Sequence, residues 1–437
     1  MSEWSETTLG ELCKFQAGDA FAKDQQGLTA GDYPFIKVSD MNLLGNERFI
    51  QQSNNWIRKA DVSKYRLHQP GSIAFAKIGE ALRANRRRVI VRETIIDNNM
   101  MSATPKGGME PLFLLYLLEG IDFNDVSRGS ALPYLTVGDL NQLPVRVPSP
   151  ETQKVIGQSL SLLDRKIELN RRMNETLEGM AQAIFRDWFV DFGPVRRAQA
   201  GLTDPVAIMG GLTPDTARAA PLAALFPAAF GNNGLPVGWN EEPLLDQANW
   251  INGAAYKNMH FVPKGLGLPV VKIAELKAGI TEQTKFTNTD LGQKYRINDG
   301  ELLFSWSGNP DTSIDAFIWT GGEAWLNQHI FAVRENGKMD RPTLHTMLKW
   351  LMPQFAELAR NKQTTGLGHV TKDDMKRLLI AKPPLPVATA FATFAGPIFE
   401  RIVATLYENR TLAETRDYLL PRLMSGAVRV TPQAEAA

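Results

Sequence analysis

The feature that most constrains this chain is an imperfect internal repeat, whose period is about half of its 437 residues. A turn, a short apolar run and a glycine occur as PGSIAFAKIG at 70–79 and again as DGELLFSWSG at 299–308. SALPYLTVGDLNQLPVRVPSP at 130–150 has a counterpart in TGLGHVTKDDMKRLLIAKPPLP at 365–386. The residues before these markers differ much more. Because the period lies far outside the solenoid range, we predict two domains that share a scaffold and diverge in a variable part.

A long helical pattern follows each proline-rich exit, from about 151 to 188 and from about 387 to 424. Apolar residues recur at alternating spacings of three and four, which is typical of a coiled-coil seam. Asn170 and Asn409 occupy matching places in the two seams. A polar seam residue commonly fixes helix register. We expect the helices to pack antiparallel with Asn170 near Asn409; the alternative is that each asparagine faces solvent.

These patterns predict an α/β protein in which two α/β domains are separated by two long antiparallel coiled-coil helices related by pseudo-twofold symmetry. The expected parts are a first α/β domain at 1–150, a central helix at 151–192, a linker rich in Ala, Gly and Pro with a short helix at 193–233, a second α/β domain at 234–386, a distal helix at 387–426 and a tail at 427–437. Within that tail, TPQAEAA at 431–437 is expected to be disordered. A helix of about 38 residues is roughly 57 Å long. Such helices would hold the two variable domains at a fixed separation.

Composition and motifs argue against catalysis by this chain. The sequence has no apolar run long enough for a membrane span and no secretory pattern, and its single cysteine, Cys13, fits a reducing cytoplasm. Amino-methyltransferase and Walker A motifs are absent, and the five histidines lack metal-ligand spacing. We therefore predict no catalytic residue, no metal site and no bound cofactor. With 48 Lys and Arg against 47 Asp and Glu, a nucleic-acid binder would have to gather positive charge on one face.

A basic cluster in the first half is a candidate for such a face. Phosphate contacts supply affinity for DNA, whereas contacts to base edges supply specificity. Six basic side chains end the AFAK run or lie within RANRRRVIVR: Lys77, Arg83, Arg86, Arg87, Arg88 and Arg92. We interpret them as DNA-contacting; the alternative is a solvated face.

Further candidates occupy matching positions in the two halves. They are Lys37 and Lys272 after proline-led strands, Tyr134 and His369 before the Thr-x-x-Asp patterns, and Trp306, Ser307 and Asn309 in the second strand-loop segment. Ser and Asn side chains can bond base edges. The alternatives are exposed strand lysines, capping by Tyr134 and His369, and a core position for Trp306. Asp139 and Asp374 are expected to cap or buttress the fold.

Three segments resemble the specificity (S) subunits of type I restriction-modification systems: the opening at 4–21, IFRDWFVDFGPVRRAQAG at 184–201 and LPVGWNEEPL at 235–244. The resemblance covers nearly the whole chain, in the family's order of target recognition domain, helix, target recognition domain and helix. It implies a cytoplasmic, non-catalytic subunit that reads a bipartite double-stranded DNA target. It also implies two modification (M) subunits that carry S-adenosylmethionine, and restriction (R) subunits that supply an ATP- and Mg-dependent nuclease.

The same resemblance implies that the helices offer a surface to the M subunits. The clustered aromatic residues Phe185, Trp188 and Phe189 are candidates for that surface or for the seam of the helix pair, since such clusters are rarely left in water. Three other functions stay open: the recognition subunit of a type IIB restriction-modification enzyme, an enzyme with an unrecognised site, and a protein scaffold without a DNA role.

Overall fold

The computed structural model describes residues 4–43, 45–362 and 367–430. It forms two compact units: the first comprises Met1–Leu169 and Asn409–Ala437, and the second comprises Asn170–Glu408. The end of the expected tail, from 431 onwards, and residues 365–366 of the second repeat segment lie outside the described residues.

The first unit is built on a five-stranded sheet, with a three-stranded sheet and a two-stranded ribbon. In spatial order, the five strands are Cys13–Ala17, Met100–Pro105, Ile73–Ala76, Arg87–Ile90 and Phe49–Ile50; the three are Trp56–Ile57, Tyr33–Ile36 and Ile95–Ile96; the ribbon pairs Trp4–Thr8 with Pro144–Pro148. The α-helices outside the long pair are Leu9–Leu12, Gly79–Arg83, Pro111–Glu119, Phe123–Val126 and Val137–Asn141.

The second unit repeats this plan with four- and five-stranded sheets and two ribbons. The four strands are Ala248–Asn252, Ile330–Glu335, Leu302–Ser305 and Asp315–Ile318; the five are Phe261–Val262, Phe286–Thr287, Leu268–Val271, Ala324–Leu326 and Arg296–Ile297; the ribbons pair Asn240–Pro243 with Leu379–Lys382 and Ser307–Gly308 with Gly368–His369. The α-helices outside the long pair are Gly193–Gln199, Pro205–Ile208, Thr216–Ala223, Ile273–Ala278, Arg341–Asn361 and Lys372–Arg377.

The repeated strands Ile73–Ala76 and Leu302–Ser305 lie inside their sheets, each between two antiparallel neighbours. All four residues of each strand are buried, which explains why both appear in the sequence as continuous apolar runs. Gly71 and Gly300 turn the chain into these strands with φ angles of +83° and +82°. Glycine is the residue that adopts such angles without steric cost. The α/β prediction and the shared scaffold are therefore confirmed.

Two long helices run through the chain, the central helix Pro150–Phe189 and the distal helix Leu385–Met424. Within the second unit, Asn174 accepts a hydrogen bond from Thr405, while Phe185 packs on Phe391 at 5.8 Å between ring centroids. Residue numbers rise along one helix as they fall along the other, so the helices are antiparallel in this unit. The first unit shows the same direction, since Asp164 pairs with Arg416 and Ile156, Leu160 and Leu423 share one apolar cluster.

The asparagines of the central helix are buried, not solvent-facing. Asn170 is 0% exposed and donates to Glu408 Oε2 at 2.8 Å. Asn174, one turn further on, is 8% exposed. Asn409 is partly buried and belongs to the first unit. The alternative in which Asn170 faces solvent is therefore wrong, and the seam position predicted for it is correct.

The segment expected to be a linker, 193–233, is folded into the second unit. It contains the three short helices from Gly193 to Ala223, and its Val195, Met209 and Phe226 lie in the main apolar core of that unit. Arg197 anchors the segment to the central helix through two hydrogen bonds to Asp187, at 2.9 and 2.8 Å. A linker with one short helix was expected; the segment has three, and it packs in the core because its scattered apolar residues find partners in the tertiary structure.

Candidate nucleic-acid interface

In the first unit, three loops meet at the end of strand Ile73–Ala76. The backbone N–H of Lys77 donates to Asn99 O at 2.9 Å, and Leu135 N donates to Lys77 O at 2.9 Å. Ile78 forms an isolated β-bridge with Tyr134, whose side chain is 41% exposed. The structure thus places two predicted residues, Lys77 and Tyr134, on adjacent loops at one end of the sheet.

The second unit has the same backbone arrangement at the end of strand Leu302–Ser305. Trp306 N donates to His329 O at 3.3 Å, and Val370 N donates to Trp306 O at 2.8 Å. The ribbon pairs Ser307 with His369. Position by position, Trp306 therefore corresponds to Lys77, Ser307 to Ile78, His329 to Asn99 and His369 to Tyr134.

A fourth loop completes each cluster through a glycine. The N–H of Gly18 donates to Met100 O and that of Gly253 to Ile330 O, each at 3.1 Å. A Cβ atom on Gly18 would lie 2.2 Å from Asp97 O, and one on Gly253 would lie 2.2 Å from Asn327 O. No side chain fits at either position, so both units bring this loop against the same neighbour in the same way. We call the loops around Gly18, Lys77, Asn99 and Tyr134 the first loop cluster. The loops around Gly253, Trp306, His329 and His369 form the second loop cluster.

The side chains of the second loop cluster form a connected polar and aromatic group. Trp306 Nε1 donates to Asn252 Oδ1 at 2.9 Å, and Ser307 Oγ lies 2.9 Å from His369 Nδ1. The indole ring lies 5.7 Å from the His329 ring and 5.8 Å from that of His369, between centroids. Burial lowers the pKa of His329, and the neighbouring His369 lowers it further by a smaller amount. The His329 imidazole is therefore neutral near pH 7. Three of the predicted residues, Trp306, Ser307 and His369, are thus brought together.

Comparison with known proteins identifies the scaffold. The family described as type I restriction modification DNA specificity domain matches this chain over 1–179 and again over 236–394. The chain belongs to this family. Each loop cluster described above lies within one of the two matched ranges.

Relatives extend the match over almost the full length. The type I restriction enzyme HindI specificity subunit of Haemophilus influenzae is 23% identical, over 98% of this chain and 100% of that protein. The MjaIX specificity subunit of Methanocaldococcus jannaschii is also 23% identical, over 98% of this chain and 94% of that protein. The crystal structure of the type I restriction-modification S subunit from M. genitalium superposes with a TM-score of 0.51 at 13% identity, covering 96% of each chain. That superposition supports the fold.

The basic cluster of the first specificity domain divides into exposed and buried arginines. Arg83 and Arg86 are exposed, and Arg83 donates to Ser130 O at 3.1 Å. Arg87 is 1% exposed; its guanidinium donates to Ile121 O and stacks 3.8 Å from the centroid of the Phe123 ring. A side chain so enclosed cannot reach phosphate, so the DNA-binding prediction for Arg87 was wrong.

Arg88 is half-buried and donates to the carbonyl oxygens of Arg87 and Met41. Burial, together with Arg48 and Arg86, lowers its pKa to about 10, so its charge stays in place at neutral pH. Because both Nη groups donate to carbonyl oxygens, the structure gives Arg88 a role in joining two segments of the domain, and DNA contact by Arg88 stays a prediction.

The two strand-end lysines each lie over an aromatic ring, although the two rings are at different positions of the repeat. Lys37 Nζ lies 4.9 Å from the centroid of the Phe21 ring, and Lys272 Nζ lies 5.3 Å from that of Phe261. Both side chains are half-buried. A cation above an aromatic face is attracted to it and remains able to donate hydrogen bonds. Each domain therefore holds a preoriented ammonium group.

Asn309 is exposed, and its Oδ1 accepts a hydrogen bond from Asp311 N at 2.9 Å. Its backbone oxygen accepts from Ser313 N at 2.8 Å. Asn309 thus caps a turn, which accounts for its place in the sequence without a base contact. The expected capping by the two aspartates is confirmed, since Asp139 and Asp374 bond Thr136 and Thr371 at the starts of short helices.

Sequence reasoning missed Asn252, Asn99 and His329. The signal was available, because INGAAY at 251–256 aligns with QAGDAF at 16–21 in the internal repeat once Gly253 is set against Gly18. NQHI at 327–330 then aligns with DNNM at 97–100. Extending the repeat to these segments would have found all three residues.

The aromatic residues at the end of the central helix pack inside the second unit. Trp188 is 1% exposed and contacts Phe226 and Phe391 at 5.1 and 6.0 Å between ring centroids. Trp188 is therefore a seam and core residue, and its use as a partner surface is excluded. Phe185 and Phe189 are 6% and 7% exposed, and their remaining surface lines a groove.

That groove, of about 810 Å³, lies between the two long helices and the loops of the second domain. Leu385 and Ala392 of the distal helix contribute to its apolar wall. Among the described helices, the distal helix alone is long and apolar enough to cross a membrane by composition, with a mean hydropathy of 1.3 over 18 residues. Only 28% of that window is buried. Since Val387 and Phe391 pack in the core, this apolarity belongs to the helix pair and its uncovered side.

Proposed function

We propose that this chain is the DNA-recognition subunit of a type I restriction-modification complex, and that each of its two specificity domains reads one short half of a split target. One observation carries the proposal: the two loop clusters share their backbone hydrogen bonds but carry different side chains. A common frame with unlike residues is what two readers of two different sequences require.

The polar groups of each domain suit the two kinds of contact that DNA offers. The preoriented Lys37 and Lys272, together with the exposed Arg83 and Arg86, supply positive charge for phosphates, which gives affinity independent of sequence. The loop clusters supply the donors, acceptors and aromatic surface that read base edges. Lys77 and Tyr134 would act in the first domain, and Trp306, Ser307 and His369 in the second.

The chain would contribute recognition, while partner subunits supply the chemistry. Among the described residues, no three His, Cys, Asp or Glu side chains are grouped so that they could hold a metal ion. Modification subunits would carry S-adenosylmethionine, and restriction subunits would use ATP and Mg. The uncovered apolar groove beside Leu385 supports docking of a modification subunit on the helix pair, because an exposed apolar patch of this kind marks an interaction surface.

The proposal is tested by single-molecule sequencing of genomic DNA from cells that express this chain with its cognate modification subunit. The expected result is methyladenine within a split motif, two short blocks flanking an unread gap. Replacing 234–383 by the equivalent segment of a relative should change only one block. Cells with the modification subunit alone are the control. An active modification subunit that creates no new motif with this chain would contradict DNA recognition and favour a scaffold.

A further inference from the structure

We propose that Asn252 is a base-reading residue of the second domain, and that Trp306 restricts it to guanine. The inference rests on the proposed function and names the base chemistry of the second loop cluster. It is specific to this domain, because the matching positions in the first domain are Ala17 and Lys77.

The argument begins with the direction of one hydrogen bond. The indole N–H of Trp306 can only donate, so the atom of Asn252 that lies 2.9 Å away must be the amide oxygen. Asn252 Nδ2, on the other branch of the planar amide, then points away from the indole with both of its N–H bonds. Asn252 is exposed. The side chain therefore presents donors to solvent while its oxygen faces the protein.

Both partners of this bond are held in place. Asn252 ends strand Ala248–Asn252 and precedes Gly253, the residue packed against the Asn327 backbone. Trp306 is fixed by backbone hydrogen bonds to His329 and Val370, and its ring also packs on Phe331 at 5.9 Å between centroids. The indole is therefore held in position, and its hydrogen bond is the contact that orients the exposed amide of Asn252.

A donor-only amide distinguishes the purines. In the major groove, adenine presents the N7 acceptor beside the N6 donor, and asparagine normally reads it by using its oxygen and nitrogen together. Guanine presents two acceptors, N7 and O6. With its oxygen facing the indole, Asn252 matches the guanine edge and leaves the N6 donor of adenine without an acceptor.

The test compares methylated motifs made by the wild type, Trp306→Phe and Asn252→Ala, each expressed with the modification subunit and measured by single-molecule sequencing. The wild type should require guanine at one position of the second block. Trp306→Phe keeps an aromatic ring but removes the N–H, so the amide can turn and the same position should relax to either purine. Asn252→Ala should lower the preference for guanine there by about tenfold or more. Trp350→Phe, in the same unit but outside the cluster, should leave the motif unchanged.

The outcomes separate this inference from the proposed function. A wild type without a split motif would refute DNA recognition itself. A wild type with a split motif, combined with two variants that keep it unchanged, or with relaxation at a base other than guanine, would overturn the role of Asn252. If Trp306→Phe abolishes all methylation, Asn252→Ala decides, because it alters only an exposed side chain.

Discussion

The loop clusters of the first and second units have the same backbone hydrogen bonds but different side chains. In both loop clusters the residue after the buried strand donates to one loop and accepts from another, whether it is Lys77 or Trp306. In both, a glycine closes against a carbonyl oxygen 2.2 Å from where a Cβ would lie. Five equivalent side-chain positions differ between the two clusters: Ala17 and Asn252, Lys77 and Trp306, Ile78 and Ser307, Asn99 and His329, and Tyr134 and His369.

This comparison shows how one scaffold can support two readers. The frame is held by main-chain hydrogen bonds and by glycines, which do not depend on the side chains at the loop tips. Those side chains are therefore free to change without loss of the fold. The largest expected effect is a loss of stability when the equivalent glycine of either loop cluster is replaced.

Gly18→Ala and Gly253→Ala should each destabilise their own unit by roughly 3 kcal/mol or more, since the added methyl overlaps a backbone oxygen that cannot move as a side chain would. Hydrogen exchange, measured by mass spectrometry on peptides of each unit, should show the loss in one unit only. Gly179→Ala is the matched control, because nothing lies within 4 Å of the position its Cβ would take. A strong effect of one glycine and none of the other would break the equivalence of the two frames.

The units also differ in how the central helix is held to its sheet domain. In the first unit the buried carboxylate of Asp164 accepts hydrogen bonds from Tyr116 at 2.6 Å and from Arg416 at 2.7 Å, and Arg48 Nε lies 3.0 Å away. In the second unit Glu178 lies 3.8 Å from both Lys349 Nζ and His345 Nε2. Burial raises the pKa of Glu178. Asp164 is therefore held by short hydrogen bonds, whereas Glu178 makes longer ion-pair contacts without a short hydrogen bond to Lys349 or His345.

Asp164→Asn should therefore cost the first unit about 3 kcal/mol, because it leaves two arginines partly without their buried counter-charge. Glu178→Gln should cost the second unit no more than about 1 kcal/mol, since no hydrogen bond is lost and a buried charge is removed. Hydrogen exchange on peptides from Pro111–Glu119 and from Arg341–Asn361 reports the two effects separately. Equal losses in the two units would contradict the difference that we infer from the distances.

Much of the frame was predictable, because the repeat is strongest where the backbone makes the same bonds. It located Lys77 with Trp306, Tyr134 with His369, and both Thr-Asp caps. Arg87 could not be predicted, since a run of arginines shows charge but not which side of a strand each one faces. The strand begins at Arg87, so alternation places Arg87 and Val89 on the buried side and Arg88 on the other.

The fold of segment 193–233, which follows the central helix, could not be predicted for a different reason. Its helices are short, and such helices are marginal without tertiary packing, so their local pattern resembles that of a linker. These short helices are stabilised by the contact of Phe226 with Trp188, which lies 38 positions earlier in the sequence. No local periodicity encodes a contact of this range.

Two buried histidines, one in each unit, allow the pH dependence of the two units to be compared. Burial lowers the pKa of His68 in the first unit to about 4, and that of His345 in the second unit to about 3. His68 Nδ1 lies 2.7 Å from Ser102 Oγ, and Asp19 and Arg66 are the charged groups that affect it. His345 faces Lys349 and Glu178.

Unfolded histidine takes up its proton near pH 6.5, whereas these folded side chains take theirs up only far below it. Below pH 6.5 the unfolded chain therefore binds more protons, and the stability of each unit falls with pH until its folded pKa is reached. Each histidine should remove about 2 kcal/mol between pH 7 and pH 5. Hydrogen exchange, corrected for intrinsic rates, measures the stability of each unit at each pH. The variant His68→Asn keeps a hydrogen-bond partner for Ser102 but cannot titrate. It should reduce the pH dependence of stability in the first unit and leave that of the second unit unchanged. If the first unit keeps its full pH dependence in this variant, another group carries the effect.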